Sequence, residues 1–415
     1  MGTVASKVKA GRRLAAAIGG ALVAIAIRGV AGSQAGDPQS LTITLTGQSM
    51  LRSDLRSTAP QAVPAIAGLL KGDVVFTNLE AAVALPGQSA SEGRGFLTPP
   101  ESLDALKSLG FNLLSLSNNH AFDLGATGIQ NTIREAERRQ IVHAGIGNTM
   151  DEAAAPAYLR TPKGTIALVS SASGLIAPGG MAAKDRPGVN QLRVQAGDKD
   201  NDARTDLTAV PANTPHPEDA ERILQSIRRA RQQADLVIVY QHNHVFGHRS
   251  FATIFTEGLA ERLAPNDWLK KWVRAEIDAG ADIVVMHGAP LLHGVEFYRG
   301  RPILYDLGNF IYNVPPALTY IHEPLNFESA VAYLEYEGRT LRSISIRPIV
   351  LNPLGEGQPD VQERAANQFL FTRGLPSPAP AARAGYILER LASLSIPFGT
   401  QIQIDGDVAR VRLKR

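Results

Sequence analysis

Six short apolar runs, rich in β-branched residues, each end in a cluster of polar residues and glycine, and this pattern most limits what the chain can fold into. Leu41-Thr-Ile-Thr-Leu-Thr46 leads into Gly47-Gln48-Ser49, and Asp73-Val-Val-Phe-Thr77 into Asn78-Leu79-Glu80. Phe111-Asn-Leu-Leu-Ser-Leu-Ser117 leads into Asn118-Asn119-His120, and Ala234-Asp-Leu-Val-Ile-Val-Tyr240 into Gln241-His242-Asn243-His244. Ala281-Asp-Ile-Val-Val-Met286 leads into His287-Gly288, and Arg301-Pro-Ile-Leu-Tyr305 into Asp306-Leu307-Gly308-Asn309. Runs of this length, bounded by glycine and polar residues, predict buried strands. Helical spacing over 101–109, 129–139 and 267–279 places helices between them, so the fold class expected is α/β. Open α/β sheets bind ligands beyond the carboxyl ends of their strands. All six polar clusters fall at such ends.

Four of the nine histidines, His120, His242, His244 and His287, occupy these strand ends. If the strands share one sheet, the four imidazoles converge on one edge, as a metal or acid–base site requires. Glu80 and Asn119 can add oxygen ligands. Cysteine is absent, which excludes thiolate ligands and disulfides. The remaining nitrogen and oxygen donors suit a divalent ion such as Mn, Zn or Fe, and one or two ions could activate water and clamp a phosphoryl oxygen. Asn119 would equally suit a turn or a helix cap. Asp123 could orient His120 through its second ring nitrogen or cap the helix beginning near Gly125. The strand-end amides Gln48, Asn78, Asn118 and Asn309 are candidate substrate contacts. Arg52, Arg56 and Arg94 could pair with an anionic substrate, or be ordinary solvated charges. His248 and His293 are expected in solvent and His143 packed. Trp268 and Trp272, four residues apart, share a helix face and read as packing residues.

Basic residues number 42 and acidic residues 39, for a net charge of +3, with no polybasic tract. Nucleic-acid binding is therefore not expected. Residues 1–35 read as a signal peptide: Lys7, Lys9, Arg12 and Arg13 precede an apolar run from Leu14 to Ile27, and Ser33 and Ala35 suit an A-x-A-like cleavage site. The run is short for a membrane span, though an uncleaved anchor is the competing reading. The main domain is expected over 40–352. Residues 353–415 should form a C-terminal wrapping segment, with a helix over 381–394 and a hairpin over 401–413 turning at Asp405-Gly406. The polar stretch 182–218 reads as a surface insertion, and 351–375 as a linker or wrapping loop.

Thr46-Gly-Gln-Ser-Met50, Asp73-Val-Val-Phe-Thr-Asn-Leu-Glu80, Leu116-Ser-Asn-Asn-His-Ala-Phe-Asp-Leu-Gly125, Asp235-Leu-Val-Ile-Val-Tyr-Gln-His242, Gly280-Ala-Asp-Ile-Val-Val-Met-His287 and Tyr305-Asp-Leu-Gly-Asn-Phe310 occur in this order. Together they resemble the CapA family of poly-γ-glutamate (capsule) biosynthesis proteins, a branch of the calcineurin-like metallophosphoesterase superfamily. The resemblance covers residues 40–350. It implies a four-layer α/β/β/α sandwich with metals between strand-end loops. It also implies a cell-envelope role in making, exporting or remodelling an anionic polymer, alongside membrane-bound capsule synthesis machinery. Glu80, Asn119, His242 and His287 would be metal ligands, and His120 the acid or hydrogen-bond donor near the substrate. Two positions depart from the family pattern. Gln48 stands where a carboxylate is usual, and Pro290 where the motif starting at His287 continues to a second histidine. His244 is a candidate to restore a nitrogen ligand. The function implied is an exported, periplasmic or envelope-associated, metal-dependent hydrolase acting on an anionic polymer or phosphoester. The alternatives are a non-catalytic polymer-binding accessory subunit and an amide-transferring enzyme that anchors the polymer.

Overall fold

All six runs form strands, but they divide three and three between two sheets rather than sharing one. The computed structural model describes residues 40–90, 95–195, 213–245, 263–314, 324–353 and 371–413. The expected leader, Arg94, His248 and most of 351–375 lie outside these residues.

In the first sheet, β1 (Leu41–Leu45), β2 (Val74–Asn78), β3 (Leu113–Ser115) and β4 (Val142–Ala144) run parallel. In the second, β5 (Ala157–Thr161) and β6 (Gly164–Ser173) form an antiparallel hairpin. There β6, β7 (Leu236–Asn243), β8 (Ile283–His287) and β10 (Arg301–Leu304) run parallel, with β9 (Val295–Tyr298) antiparallel at the far edge. A long hairpin, β11 (Glu328–Glu337) and β12 (Thr340–Leu351), adds to β1. The closing hairpin, β13 (Ile402–Asp405) and β14 (Val408–Val411), adds to β12.

Alternation along each strand explains why the sheets stack. On β1, β2 and β3, Ile43, Leu45, Phe76 and Leu113 face Ile166, Leu168, Ile238, Tyr240 and Val285 of the second sheet in one buried cluster. The opposite faces are covered by helices, because a strand rich in valine and leucine is apolar on both sides. Val75 and Leu114 pack against α1 (Glu101–Leu109) and α2 (Gly125–Arg138). Val237, Val239 and Val284 pack against α3 (Pro217–Gln233) and α4 (Asp267–Ala279), where Trp268 and Trp272 lie buried. Each such side chain contributes about 1.5–3 kcal/mol on burial. The result is the four-layer α/β/β/α sandwich. A further helix, α5 (Ala381–Ser395), inserts Ile387, Leu388 and Leu391 into the cluster between the sheets.

Parallel strands in both sheets bring their carboxyl ends to one edge. The ends of β1, β2 and β3 supply Gln48, Glu80 and Asn118–His120, and the ends of β7 and β8 supply His242, His244 and His287.

Candidate metal centre

His242 ends β7 and is fully buried, with its ring fixed from both sides. Tyr240, two residues earlier on the same strand face, places its hydroxyl 3.1 Å from His242 Nδ1. Asn119 Oδ1 lies 2.8 Å from His242 Nε2 and 3.1 Å from His244 Nε2. The two imidazoles, again two residues apart, stand edge to face with centroids 4.8 Å apart. Glu80 Oε1 completes the group, 3.8 Å from His242 Nε2. The donor atoms of Glu80, His242 and His244 all lie within 4.8 Å of one another, close enough to share one ion.

The chemistry of these donors fits a divalent cation. Burial pushes the Glu80 carboxyl up to about 7, opposed by His120 and reinforced by Asp123. Its second oxygen, Oε2, is buried with no hydrogen-bond partner among the described residues. A buried carboxylate oxygen left without a partner is costly, and a cation supplies one. Burial holds His242 well below the ordinary imidazole range, with the charges of His244, His287 and His120 acting in the same direction. The neutral ring is the form that ligates. One carboxylate, two imidazoles and the Asn119 amide oxygen make a mixed N/O set suited to Mn, Zn or Fe.

His287 is placed differently. It is the register partner of His242 on the neighbouring strand, yet its ring packs 5.3 Å from Tyr240 and lies outside the three-residue cluster. Burial lowers it to about 3, opposed only by the Thr46 backbone, and neither ring nitrogen makes a well-formed hydrogen bond. His244, not His287, stands with His242 and Glu80. Gln48 is buried at the end of β1 with Oε1 unpartnered, and pairs through the backbone with Asn309, whose Oδ1 is also unpartnered. Asn78 and Asn118 face inward. Asn118 Nδ2 donates to Asn78 Oδ1 at 3.2 Å and to the Leu79 carbonyl at 2.8 Å, while its Oδ1 accepts from the His120 N–H. Asn118 therefore ties β2 to the histidine loop, and its amide points away from solvent.

His120 stands at the mouth, 28 % exposed, with Nε2 3.9 Å from Glu80 Oε1. Its Nδ1 lies 2.6 Å from Asp123 Oδ2. Burial lowers its basicity, but the Asp123 hydrogen bond and the Asp123 and Glu80 charges outweigh this, so the ring is held more basic than usual. Of the two roles open to Asp123, the structure shows the orienting one: the N-cap of α2 is Leu124, with no side-chain cap. The Phe96 N–H also donates to Asp123, at 2.6 Å. Neighbouring Gly95 has φ +117°, and a Cβ there would meet the Asp123 side chain at 3.0 Å, so this close approach needs glycine. Arg52 lies with its guanidinium 4.1 Å from the centre of the Phe96 ring, and that ring is 5.9 Å from His120. Arg56, by contrast, pairs with Asp54 on the surface.

Tyr240 and Phe96 were not singled out from the sequence. Tyr240 had a signal, its two-residue spacing from His242, whereas Phe96 reaches Asp123 only through the tertiary fold. His293, expected in solvent, is buried beside His287, Tyr305 and Asp306. Asp306 Oδ1 and Oδ2 accept the Gly308 and Ala289 N–H groups, holding the loops after β8 and β10 together.

Residues 42–314 match the sequence model of the bacterial capsule synthesis protein family PGA_cap. The chain belongs to this family. A protein of Sinorhizobium fredii, described only as uncharacterized, is 31% identical over 426 residues, covering 83% of this chain and 87% of that one. The Bacillus subtilis PGA biosynthesis protein CapA is 28% identical over 216 residues, 52% of this chain and 46% of its own length. A probable polyglutamine synthesis accessory protein of Mycobacterium tuberculosis is 26% identical, covering 58% of this chain and 55% of that one. Among the described residues of this PGA_cap member, no helix is long and apolar enough to cross a membrane.

Proposed function

We propose that this PGA_cap-family protein is an exported, metal-dependent hydrolase acting on an anionic envelope polymer or phosphoester. The observation that carries this reading is the convergence of Glu80, His242 and His244 within 4.8 Å, beside the His120–Asp123 pair. Glu80, Asn119, His242 and His244 would hold one divalent ion. When bound, that ion supplies Lewis-acid polarisation of a phosphoryl or acyl oxygen. Asp123 keeps a proton on His120 Nδ1 and so fixes the ring orientation. His120 Nε2, at the exposed mouth, donates its proton to the departing oxygen or nitrogen of the substrate. Arg52, stacked on Phe96, adds fixed positive charge where an anionic substrate would enter. Tyr240 locks the rotation of His242.

The deciding experiment is elemental analysis of protein supplemented with Mn, Zn or Fe, paired with turnover of a phosphomonoester and a γ-linked glutamate oligomer. About one ion per chain, with turnover falling about 10²–10⁴-fold in His120→Ala, supports the proposal. Protein that binds no metal and shows no turnover overturns it. A second reading, a non-catalytic polymer-binding accessory subunit, is favoured by one observation: Gln48 leaves the end of β1 without a carboxylate, and His287 stands apart from the ligand cluster. It predicts polymer binding unaffected by a chelator and no turnover.

A further inference from the structure

A second site lies at the other end of the second sheet. Because β10 runs parallel to β8, Arg301 opens its strand beside Asp282, five residues before His287. Five strand residues span about 16 Å, so this end is well separated from the metal centre. A cavity of about 400 Å³ opens there, lined by Phe297, Arg299, Arg301, Arg339, Phe398 and Arg412, together with Leu341 and Thr400. That volume lies within the range of small-molecule sites. Its wall carries four guanidinium groups and no carboxylate.

The local charge is unbalanced. Asp282, fully buried behind the wall, is approached by Arg231, Arg301 and Arg339, the last at 3.4 Å. One carboxylate facing three guanidinium groups leaves a surplus of two positive charges. Arg299 pairs with Asp278, at 3.0 Å on the surface, while Arg412 makes no ion pair among the described residues. A second, independent observation is Thr400: it is 7 % exposed, lines the cavity, and its Oγ1 has no hydrogen-bond partner among the described residues. Buried hydroxyls normally have partners, so this one is available to a ligand. Phe297, Leu341, Phe398 and Leu413 supply apolar wall, and Phe398 is held in place by stacking on Tyr305 at 5.0 Å.

We propose that this cavity binds carboxylate groups carried on a short methylene chain, the chemistry of a glutamyl polymer, at a site distinct from the metal centre. Guanidinium forks match carboxylates in two-point hydrogen bonds. Phe297, Leu341 and Phe398 offer apolar surface for methylenes, which a bare inorganic anion would leave unused. The choice of a glutamyl ligand rests on the capsule-polymer reading above; the cavity and its charge do not.

The test is calorimetric titration of the full-length protein with a soluble γ-linked glutamate oligomer, for the wild type and the double variant Arg339→Gln/Arg412→Gln. Both side chains are exposed, and thermal melting checks the fold of the variant. The expected result is a loss of tenfold or more in affinity in the double variant, with phosphomonoester turnover unchanged. Binding should weaken with added salt and persist in the presence of a chelator. Unchanged affinity in the double variant overturns the proposal, as does abolition by the chelator, which would move binding to the metal centre. Displacement of the oligomer by an equal concentration of inorganic phosphate also overturns it, by reducing the site to a general anion pocket. If the hydrolase reading fails, metal binding and the effect of His120→Ala are lost while this titration is unaffected, so the two failures are distinguishable.

Discussion

Asp123 Oδ2 sits 2.6 Å from His120 Nδ1 and, on its other side, accepts the Phe96 N–H at 2.6 Å. The carboxylate is thus pinned by the backbone before it orients the ring. Asp123→Asn keeps the shape but offers the ring an amide in place of a full negative charge. The expected outcome is a kcat lowered by about 10–100-fold, with KM and bound metal unchanged. Steady-state kinetics with parallel elemental analysis checks this. A matching loss of metal would assign Asp123 to the ligand set instead.

His244 is proposed as the second imidazole of the ion site. Its Nε2 lies 3.1 Å from Asn119 Oδ1, within the same cluster as Glu80 and His242. His244→Ala should weaken metal binding by at least about tenfold, because the four proposed donors drop to three and one of the two imidazoles is lost. His287→Ala should leave stoichiometry unchanged. Competition against a chelator of known affinity measures both, and identical behaviour of the two variants would sink the assignment.

Glu276, on α4, is fully buried, one turn after Trp272. Burial pushes its carboxyl up to about 8, opposed weakly by the Trp272 indole, which stands outside good hydrogen-bonding geometry. The folded state therefore keeps a proton that the unfolded state releases near the ordinary carboxyl value. The stability this confers is full below about pH 4.5 and is lost as pH rises toward 8. Melting temperature should fall over that window, and Glu276→Gln, which cannot ionise, should flatten the fall. A variant that tracks the wild type at every pH would refute the assignment.

Gly288 follows His287 with φ +126°, and a Cβ at this position would meet the Asn243 carbonyl oxygen at 2.1 Å. This backbone-to-backbone approach locks the end of β8 against the end of β7. Gly288→Ala should destabilise the fold by roughly 2 kcal/mol or more, through both the clash and the unfavourable φ. Gly300→Ala, also at positive φ but with open space around it, isolates the conformational part. Chemical denaturation of both variants separates the two contributions.

Local chemistry made much of this protein legible from its residues alone. Each apolar run and its polar terminus are contiguous, so the strands of β1, β2, β3, β7, β8 and β10 and the residues at their ends follow from composition and spacing. The pairing of His242 with His244 follows too, because residues two apart on an extended chain share a face. Other features depend on contacts between distant segments. Leu45 of β1 pairs with Ala332 of β11, nearly the whole domain away, and the six strands split between two sheets because β7 pairs with β6 and β8 rather than with any strand of the first sheet. His287 is the register partner of His242, yet it stands outside the Glu80–His242–His244 group, an arrangement set by how β7 and β8 lie side by side. Arg301, Arg339 and Arg412 belong to three separate strands or turns, and nothing in their spacing hints at a common cavity. Sequence determines which side chains stand at a strand end, because that is a local property of the chain. Which of them meet is decided by the long-range packing of the two sheets.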